Sequence, residues 1–363
     1  MDVWSLPGPS RFLASAENAL RDGINLVLGR PGSGPMGLVD ALERRLHESG
    51  WSVSPVLTAS GTGSPLEQLH GFLACDEPRQ GRPSLAGLYR RLSPGGVVIV
   101  KGVNTTSWDL WRVFLDEIEH YSRGIPVFDR PLLVLEVAGV AAEKVTLSAT
   151  ALRSLLWRDV VGELDMLVYV EGLFERRASL QRQVQIRTIA KLAGWDFSLA
   201  EALAGQTLDR LLTPVAVIRD LRQTGDLDSP EAAAWEGGGI QVVDGVSMRH
   251  AVLLAMAGDE GSELMMRIWA AHASEVLPLV EIARRRIVQQ LRPLISRPIE
   301  VDGETVQDLA DLEIGQLCYL AHKRGLGANK RDELEGWRSV RNRLAHLQPL
   351  APEDFTWLNN RRS

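Results

Sequence analysis

The sequence predicts a mixed α/β and all-α chain: a parallel-sheet core, then a helical connector, then a C-terminal helical bundle. Three observations predict it. Over the first 150 residues short apolar runs alternate with amphipathic stretches, the order that builds a parallel sheet with helices on both faces. Beyond that point helical periodicity dominates, broken by one hairpin signal. At the end, long apolar-striped segments are joined by short loops, which makes neighbouring helices antiparallel. The expected boundaries are 1–150 for the α/β domain, 151–258 for the connector with its small hairpin, and 259–363 for the bundle.

Each element has its own signal. "INLVL" at 24–28 reads as a buried strand leading through glycines into a helix with Leu38, Leu42 and Leu46 at four-residue spacing. "WSVSPVL", "GGVVIVKG", "PLLVLEVAG" and "EKVTLSA" read as further strands, with "TSWDLWRVFLDEIEHYSRG" as a helix among them. From about Thr150 to Asp220 the reading is helical; it begins with "LRSLLWRDVVGELDMLVYVEGLF", and "RASLQRQVQIRTIAKLAG" is a basic amphipathic helix stopped by Gly194. "DSPEAAAWEGGG" carries a proline and three glycines, a loop or hinge signal, and Asp244-Gly245 between two apolar runs marks a hairpin turn. The last boundary is expected near Gly258 to Gly261. After it come a long helix, bent or split at Pro278, and helices over "DLADLEIGQLCYLAHKRGL" and "NKRDELEGWRSVRNRLAHL". In the last of these Leu334, Trp337, Val340, Leu344 and Leu347 form the expected buried stripe.

Composition excludes several classes of function. A net charge of −6 argues against a protein that coats nucleic acid without sequence preference. The basic residues are almost all Arg, with Lys only at 101, 144, 191, 323 and 330, a codon bias with little chemical meaning. No apolar run reaches the length of a membrane span, and the start "MDVWSLPGPSRF" has neither the basic nor the apolar part of a signal peptide. Cys75 and Cys318 lie far apart without metal-type spacing. The expectation is a cytoplasmic protein with no membrane contact, no metal and no cofactor.

Gly29, Gly32 and Gly34 fall where a phosphate-binding loop of pattern GxxxxGK[ST] has its glycines. Such a loop holds phosphate with backbone N–H groups, a Lys on the terminal phosphates and a hydroxyl on Mg²⁺. Here the Lys position is Pro35 and the hydroxyl position is Met36, and Lys101 ends the strand where a metal-holding Asp is needed. A cation there repels Mg²⁺. This half resembles the nucleotide-binding core of AAA+ or STAND ATPases in an inactive version. The glycines also read as a tight strand-to-helix turn with no ligand. Glu136, Asp116 and Glu117 read as solvated or capping carboxylates. Arg176, Arg177, Arg182 and Arg187 on the basic helix could face RNA or simply water.

"RNRLAHL" near the end raises the sharpest question. An Arg five residues before a His arises by accident about half the time in a chain this rich in Arg. A second copy, Arg267 to His272 in "RIWAAH", has the same spacing but sits among Ile268 and Trp269, the surroundings of a core histidine. In the later copy Asn342 follows Arg341, and Pro349 and Pro352 end the helix soon after His346. On a helix Asn342 and His346 lie about 40° apart and Arg341 about 140° from His346. One helix does not easily bring Arg and His together, whereas two such helices meeting across a dimer could.

That constellation at the end of a helical bundle resembles the HEPN domain, whose signature is Arg, a polar residue, three more residues, then His. "DLADLEIGQLCYLAHKRG" ahead of it is similar to HEPN domains appended to inactive P-loop modules of bacterial conflict systems. The resemblance implies a metal-independent endoribonuclease acting as a homodimer through the bundle. His346 would be general acid or base, Arg341 would stabilise the phosphorane-like charge, and Asn342 would orient the groups. RNA and partner proteins of an antiviral defence system are the implied partners. A non-catalytic scaffold remains the competing reading, with Arg341 and Asn342 capping carbonyls and His346 placed by the helix dipole. An ATP-dependent switch ranks last.

Overall fold

The computed structural model describes residues 2–60, 63–73, 83–174, 179–225, 230, 232–257, 262–295, 299–301 and 303–362. Cys75, Arg176, Arg177 and the boundary expected at 258–261 lie outside the described residues. The chain divides into two compact units, residues 1–165 with 229–253, and residues 166–228 with 254–363. The segment expected as a connector, 151–258, is therefore shared between them, its hairpin in the first and most of its helices in the second.

The first unit runs α1 (Pro7–Arg21), β1 (Asn25–Arg30), α2 (Leu38–Glu48), β2 (Leu57–Thr58), α3 (Pro65–Leu73), α4 (Leu85–Arg91), β3 (Val97–Val103), α5 (Trp108–Ser122), β4 (Leu132–Ala138), α6 (Ala142–Val145), β5 (Ser148–Ala149) and β6 (Leu152–Leu156). These strands form one sheet in the order β2-β3-β4-β1-β6-β5. Every pairing is parallel except β5 with β6. Val27, Val98, Val100, Leu133 and Leu135 share a core with Trp111, Phe114 and Leu115 of α5. The alternate residues Leu26, Leu28, Ile99 and Val134 are fully buried as well. Successive strand side chains point to opposite faces, so the sheet is covered on both, as the alternation of strands and helices predicts.

Two sequence readings change here. Leu152–Leu156, expected as the start of a helix, is the strand β6 paired with β1, and "EKVTLSA" forms the short helix α6 before the edge strand β5. A run as short as "LRSLL" fits either period, and the open edge of β1 decides it. Asn25 anchors the entrance to the sheet: its side-chain amide donates to the Ala151 carbonyl, and its Oδ1 accepts from Leu133 N–H.

The hairpin β7 (Ile240–Val243) and β8 (Val246–Arg249) turns at Asp244-Gly245 with φ of 49° and 78°, the left-handed pair a two-residue turn needs. Asp244 accepts from Glu163 N–H and Asp159 accepts from Gly245 N–H, which pins the turn to the loop after β6.

The second unit is helical: α7 (Glu163–Gly172), whose first turn belongs to the first unit, α8 (Leu180–Ala193), α9 (Phe197–Ala204), α10 (Leu208–Leu211), α11 (Pro214–Gln223), α12 (Ala251–Met256), which straddles the division, and α13 (Ser262–Leu291). A small antiparallel pair follows, β9 (Ile299–Val301) with β10 (Glu304–Val306), then α14 (Ile314–Lys323), α15 (Ala328–Ala345) and α16 (Pro352–Arg362). Pro278 lies inside α13, which stays one helix over 30 residues. One core joins Val276, Val280 and Ile287 of α13 to Leu317 of α14, Leu334, Trp337 and Val340 of α15, and Phe355 of α16.

The motif helix is thus followed by a further helix, because Pro352 starts a new one rather than closing the chain. Leu347, expected in the buried stripe, is 52% exposed. The helix has ended by then, and Leu347 takes a left-handed φ of 58°. Among the described residues no helix is long and apolar enough to cross a membrane.

Candidate functional site

Two places attract attention, one in each unit. In the first unit the glycine loop joins β1 to α2, as a phosphate loop does. Gly29 is buried in the sheet, where a Cβ would stand 2.6 Å from Leu156 Cδ2 and 2.9 Å from Val145 Cγ1. Its role is close packing, not approach to a ligand. Gly32 N–H donates to the Glu236 carbonyl at 2.7 Å, and Gly34 N–H turns back to the Pro31 carbonyl at 3.4 Å. Pro35 has no N–H, and Met36 is 78% exposed.

The cation that β1 brings to the loop is Arg30, and it is spent on the protein. Its Nε donates to Glu136 Oε1 at 2.7 Å, and one terminal nitrogen to the carbonyls of Pro31 and Gly32 at 3.0 and 3.2 Å. Both side chains of the ion pair are nearly buried. Glu136 is therefore not the solvated carboxylate the sequence suggests; it neutralises Arg30 at the end of β4. Asp116 pairs with Arg112 on the exposed side of α5, and Glu117 beside it is exposed. Lys101 approaches Asp40 in the first turn of α2 at 3.9 Å, with both side chains well exposed.

A magnesium-bound nucleotide does not fit these groups. The loop offers no Lys and no hydroxyl at the expected positions, one of its N–H donors is already taken, and the Arg30–Glu136 pair presents no net charge.

In the second unit the repeated Arg–His spacing resolves into two unlike environments. Arg267 is buried, donating to Glu263 at 2.7 Å, and His272 is fully buried. His272 Nδ1 accepts from Leu350 N–H at 3.0 Å, its ring stands edge-on to Phe355, and burial pushes its pKa down to about 4. It is a core histidine.

Arg341, Asn342 and His346 lie instead at the open end of α15. Arg341 and Asn342 are half-buried and His346 is exposed. His346 is the residue that caps the helix, with its N–H on the Asn342 carbonyl at 2.9 Å. The Arg341 guanidinium donates to Glu313 at 2.8 Å and stands 3.5 Å from Asn342 Oδ1. Among the described residues no hydrogen bond joins the His346 imidazole to Arg341 or to the Asn342 side chain. Within one chain the structure brings Arg341 to Asn342 and leaves His346 apart.

This end of the helix is firmly held. Trp269 of α13 donates its indole N–H to the Leu344 carbonyl at 2.7 Å, and Arg343 pairs with Asp354 of α16 at 3.2 Å. Glu313, at the start of α14, forms a capping box with Gln316 and so presents a fixed carboxylate to Arg341.

No family model matches the chain, and no curated protein matches it. Among solved structures it is similar to Cdc6p from Pyrobaculum aerophilum, at 12% identity over 93% of this chain and 86% of that one, with a TM-score of 0.35. It is similar also to the ORC1 protein of Aeropyrum pernix in complex with DNA, at 15% identity over 94% and 84% of the two chains, TM-score 0.32. Drosophila ORC bound to poly(dA/dT) DNA and Cdc6 matches at 13% identity over 78% and 52%, TM-score 0.29. The α/β fold rests on the strand order and register themselves.

Glu313, Arg30 and Glu236 are the functional neighbours that sequence reading misses. Each partner lies 28 or more residues away from the group it contacts, and nothing in a local pattern marks the pair. The basic helix α8 is also engaged within its unit: Arg182 donates to Gln185 and stacks over Phe174, and Arg187 pairs with Glu275 of α13. Among the described residues no group of three or more His, Cys, Asp or Glu could hold a metal ion.

Proposed function

We propose that this chain is a HEPN-type, metal-independent endoribonuclease effector of a bacterial defence system, with an N-terminal P-loop-like module that has lost nucleotide chemistry and serves for sensing or partner binding. The observation that carries the reading is the contrast between the two Arg–His pairs. Of two identical spacings, one is sealed in the core and the other keeps its imidazole exposed and its guanidinium at the rim of the same helix end.

In this reading two copies meet through the bundle, and Arg341 of one chain reaches the phosphate served by His346 of the other. The RNA 2′-hydroxyl attacks the adjacent phosphorus, the P–O5′ bond breaks, and the imidazole takes up or returns the proton at each oxygen. Arg341 stabilises the charge on the non-bridging oxygens with its fork of donors. DNA, which lacks the nucleophile, is inert.

The test is incubation of the protein and its His346→Ala and Arg341→Ala variants with single-stranded RNA and with DNA, in EDTA. Cleavage of RNA by the wild type alone, rising with protein concentration through the dimer range, is the expected result. Equal absence of cleavage in all three at concentrations where the protein is dimeric sinks it. A second reading, a non-catalytic scaffold of the same system, is favoured by one observation: Glu313 already neutralises Arg341.

A further inference from the structure

We infer that the phosphate loop of the first unit has become the receptor for an internal segment, Ala232–Gly239, whose Glu236 carbonyl occupies the loop in place of a ligand oxygen. Read from sequence, "AAAWEGGG" looks like a hinge. In the structure it is a folded plug.

The segment is closed on itself by Gly238 N–H to the Trp235 carbonyl and Gly239 N–H to the Ala234 carbonyl, each at 2.9 Å. From this curl Glu236 directs its carbonyl at Gly32 N–H, 2.7 Å away, the donor that a phosphate-binding loop offers its ligand. A backbone carbonyl carries a partial negative charge in a fixed direction. It therefore satisfies one N–H as a phosphate oxygen does, without requiring a Lys or a metal ion.

Further ties hold the plug in register with β1. The Trp235 indole N–H and the Gln241 side-chain amide both donate to the Trp157 carbonyl, at 3.3 and 3.0 Å. Trp157 N–H in turn donates to the Gly29 carbonyl at 2.7 Å. On the other side of the segment, His250 N–H donates to the Gly239 carbonyl at 2.8 Å.

The glycines are what let the segment approach. Gly238 has a φ of 78°, and a Cβ there would fall 2.0 Å from Ser33 Oγ in the loop; at Gly237 a Cβ would fall 2.3 Å from the Ala232 backbone nitrogen. At the end of β1 Arg30 is neutralised by Glu136 and tied to the Pro31 and Gly32 carbonyls of the loop. A loop with Pro35 and Met36 in the Lys and hydroxyl positions and a Glu-Gly-Gly-Gly segment seated on its N–H fit each other: the loop is permanently occupied by the chain itself. The first unit keeps its shape whatever the nucleotide concentration.

Hydrogen exchange of the full-length protein tests this through the peptide spanning 29–38. In the wild type the Gly32 amide is expected to exchange at least about tenfold more slowly than an open loop amide, unchanged by millimolar ATP, ADP or pyrophosphate with Mg²⁺. Gly238→Ala, strained and crowded at that position, should speed exchange of this peptide about tenfold and leave α15 peptides untouched. Trp235→Phe, which removes only the indole donor, is the milder version and should move the same peptide in the same direction. Rapid exchange of the Gly32 amide in the wild type overturns the inference. So does saturable micromolar binding of mant-ADP, or a loop unmoved by folded variants; should Gly238→Ala fail to fold, the wild type and Trp235→Phe decide.

Discussion

Arg341 and Glu313 form an ion pair at 2.8 Å that joins the motif helix α15 to the start of α14. Glu313 is 68% exposed and Arg341 38%, so solvent screens the pair, and such contacts contribute about 0–1 kcal/mol. Its interest lies in the charge it places beside the proposed site, where it competes with phosphate for the guanidinium.

Arg341→Ala should therefore leave folding almost intact, with a change of at most about 1 kcal/mol in urea denaturation. On the proposed function the same variant loses RNA cleavage. Loss of activity together with a drop of several kcal/mol in stability would instead make Arg341 a structural residue. Glu313→Gln keeps a cap for α14 while releasing Arg341, and should raise cleavage at limiting RNA.

The buried His272 gives the second unit a pH dependence. Its pKa falls from the ordinary 6.5 to about 4 because burial penalises the charged ring. A depressed folded-state value means that stability is full above pH 6.5 and is lost as pH falls towards 4, by about 3 kcal/mol if nothing relaxes. Denaturation midpoints at pH 7.5, 5.5 and 4.5 should show this decline. His272→Leu, which loses the bond from Leu350 N–H, should be less stable at pH 7.5 and show a flatter slope; an unchanged slope rejects the assignment.

Gly336 lies in mid-helix, where Ala normally gains about 1 kcal/mol. Here a Cβ would stand 2.0 Å from Trp357 Cζ2, inside the ring that packs edge-on against Trp337. Displacing that ring costs about 1–3 kcal/mol by overpacking, so the clash outweighs the propensity. Gly336→Ala should lower stability and loosen α16, read by faster hydrogen exchange over 352–362. A more stable variant would show that Trp357 moves aside freely.

Glu136→Ala leaves the Arg30 guanidinium unpaired in a nearly buried position, with the side chains of the pair 13% and 8% exposed. Removing one partner of such a pair costs about 3–5 kcal/mol. The double variant Arg30→Met/Glu136→Leu should recover most of that loss, since apolar replacement of a buried pair is often neutral. Failure of the double variant to recover would mean that the Arg30 bonds to the Pro31 and Gly32 carbonyls, not the ion pair, hold the loop.

Much of the fold is legible in the sequence because its signals are local. The apolar runs at 97–100 and 132–135 read as buried strands and are strands, and Asp244-Gly245 reads as a turn and is one. Leu334, Trp337, Val340 and Leu344 recur at helix spacing and are all buried. The readings that changed are those where local signals balance. "LRSLL" became β6 because β1 had an open edge, and Leu347 left the stripe because the helix stopped at Ala345. The candidate site was only half legible: the motif gave Arg341, Asn342 and His346, while Glu313 and Trp269 could not be read from it.

By itself the sequence determined most of the order of strands and helices, the absence of a phosphate-binding Lys at position 35, and most of the apolar stripe of the motif helix, since all of these depend on residues within a few positions of one another. The tertiary structure alone decided that the Glu236 carbonyl meets Gly32, that Arg30 finds Glu136, and that one Arg–His spacing is sealed while its twin stays open. Those outcomes are set by contacts between residues distant in the chain, where burial and hydrogen-bond satisfaction, rather than any local pattern, choose the partner.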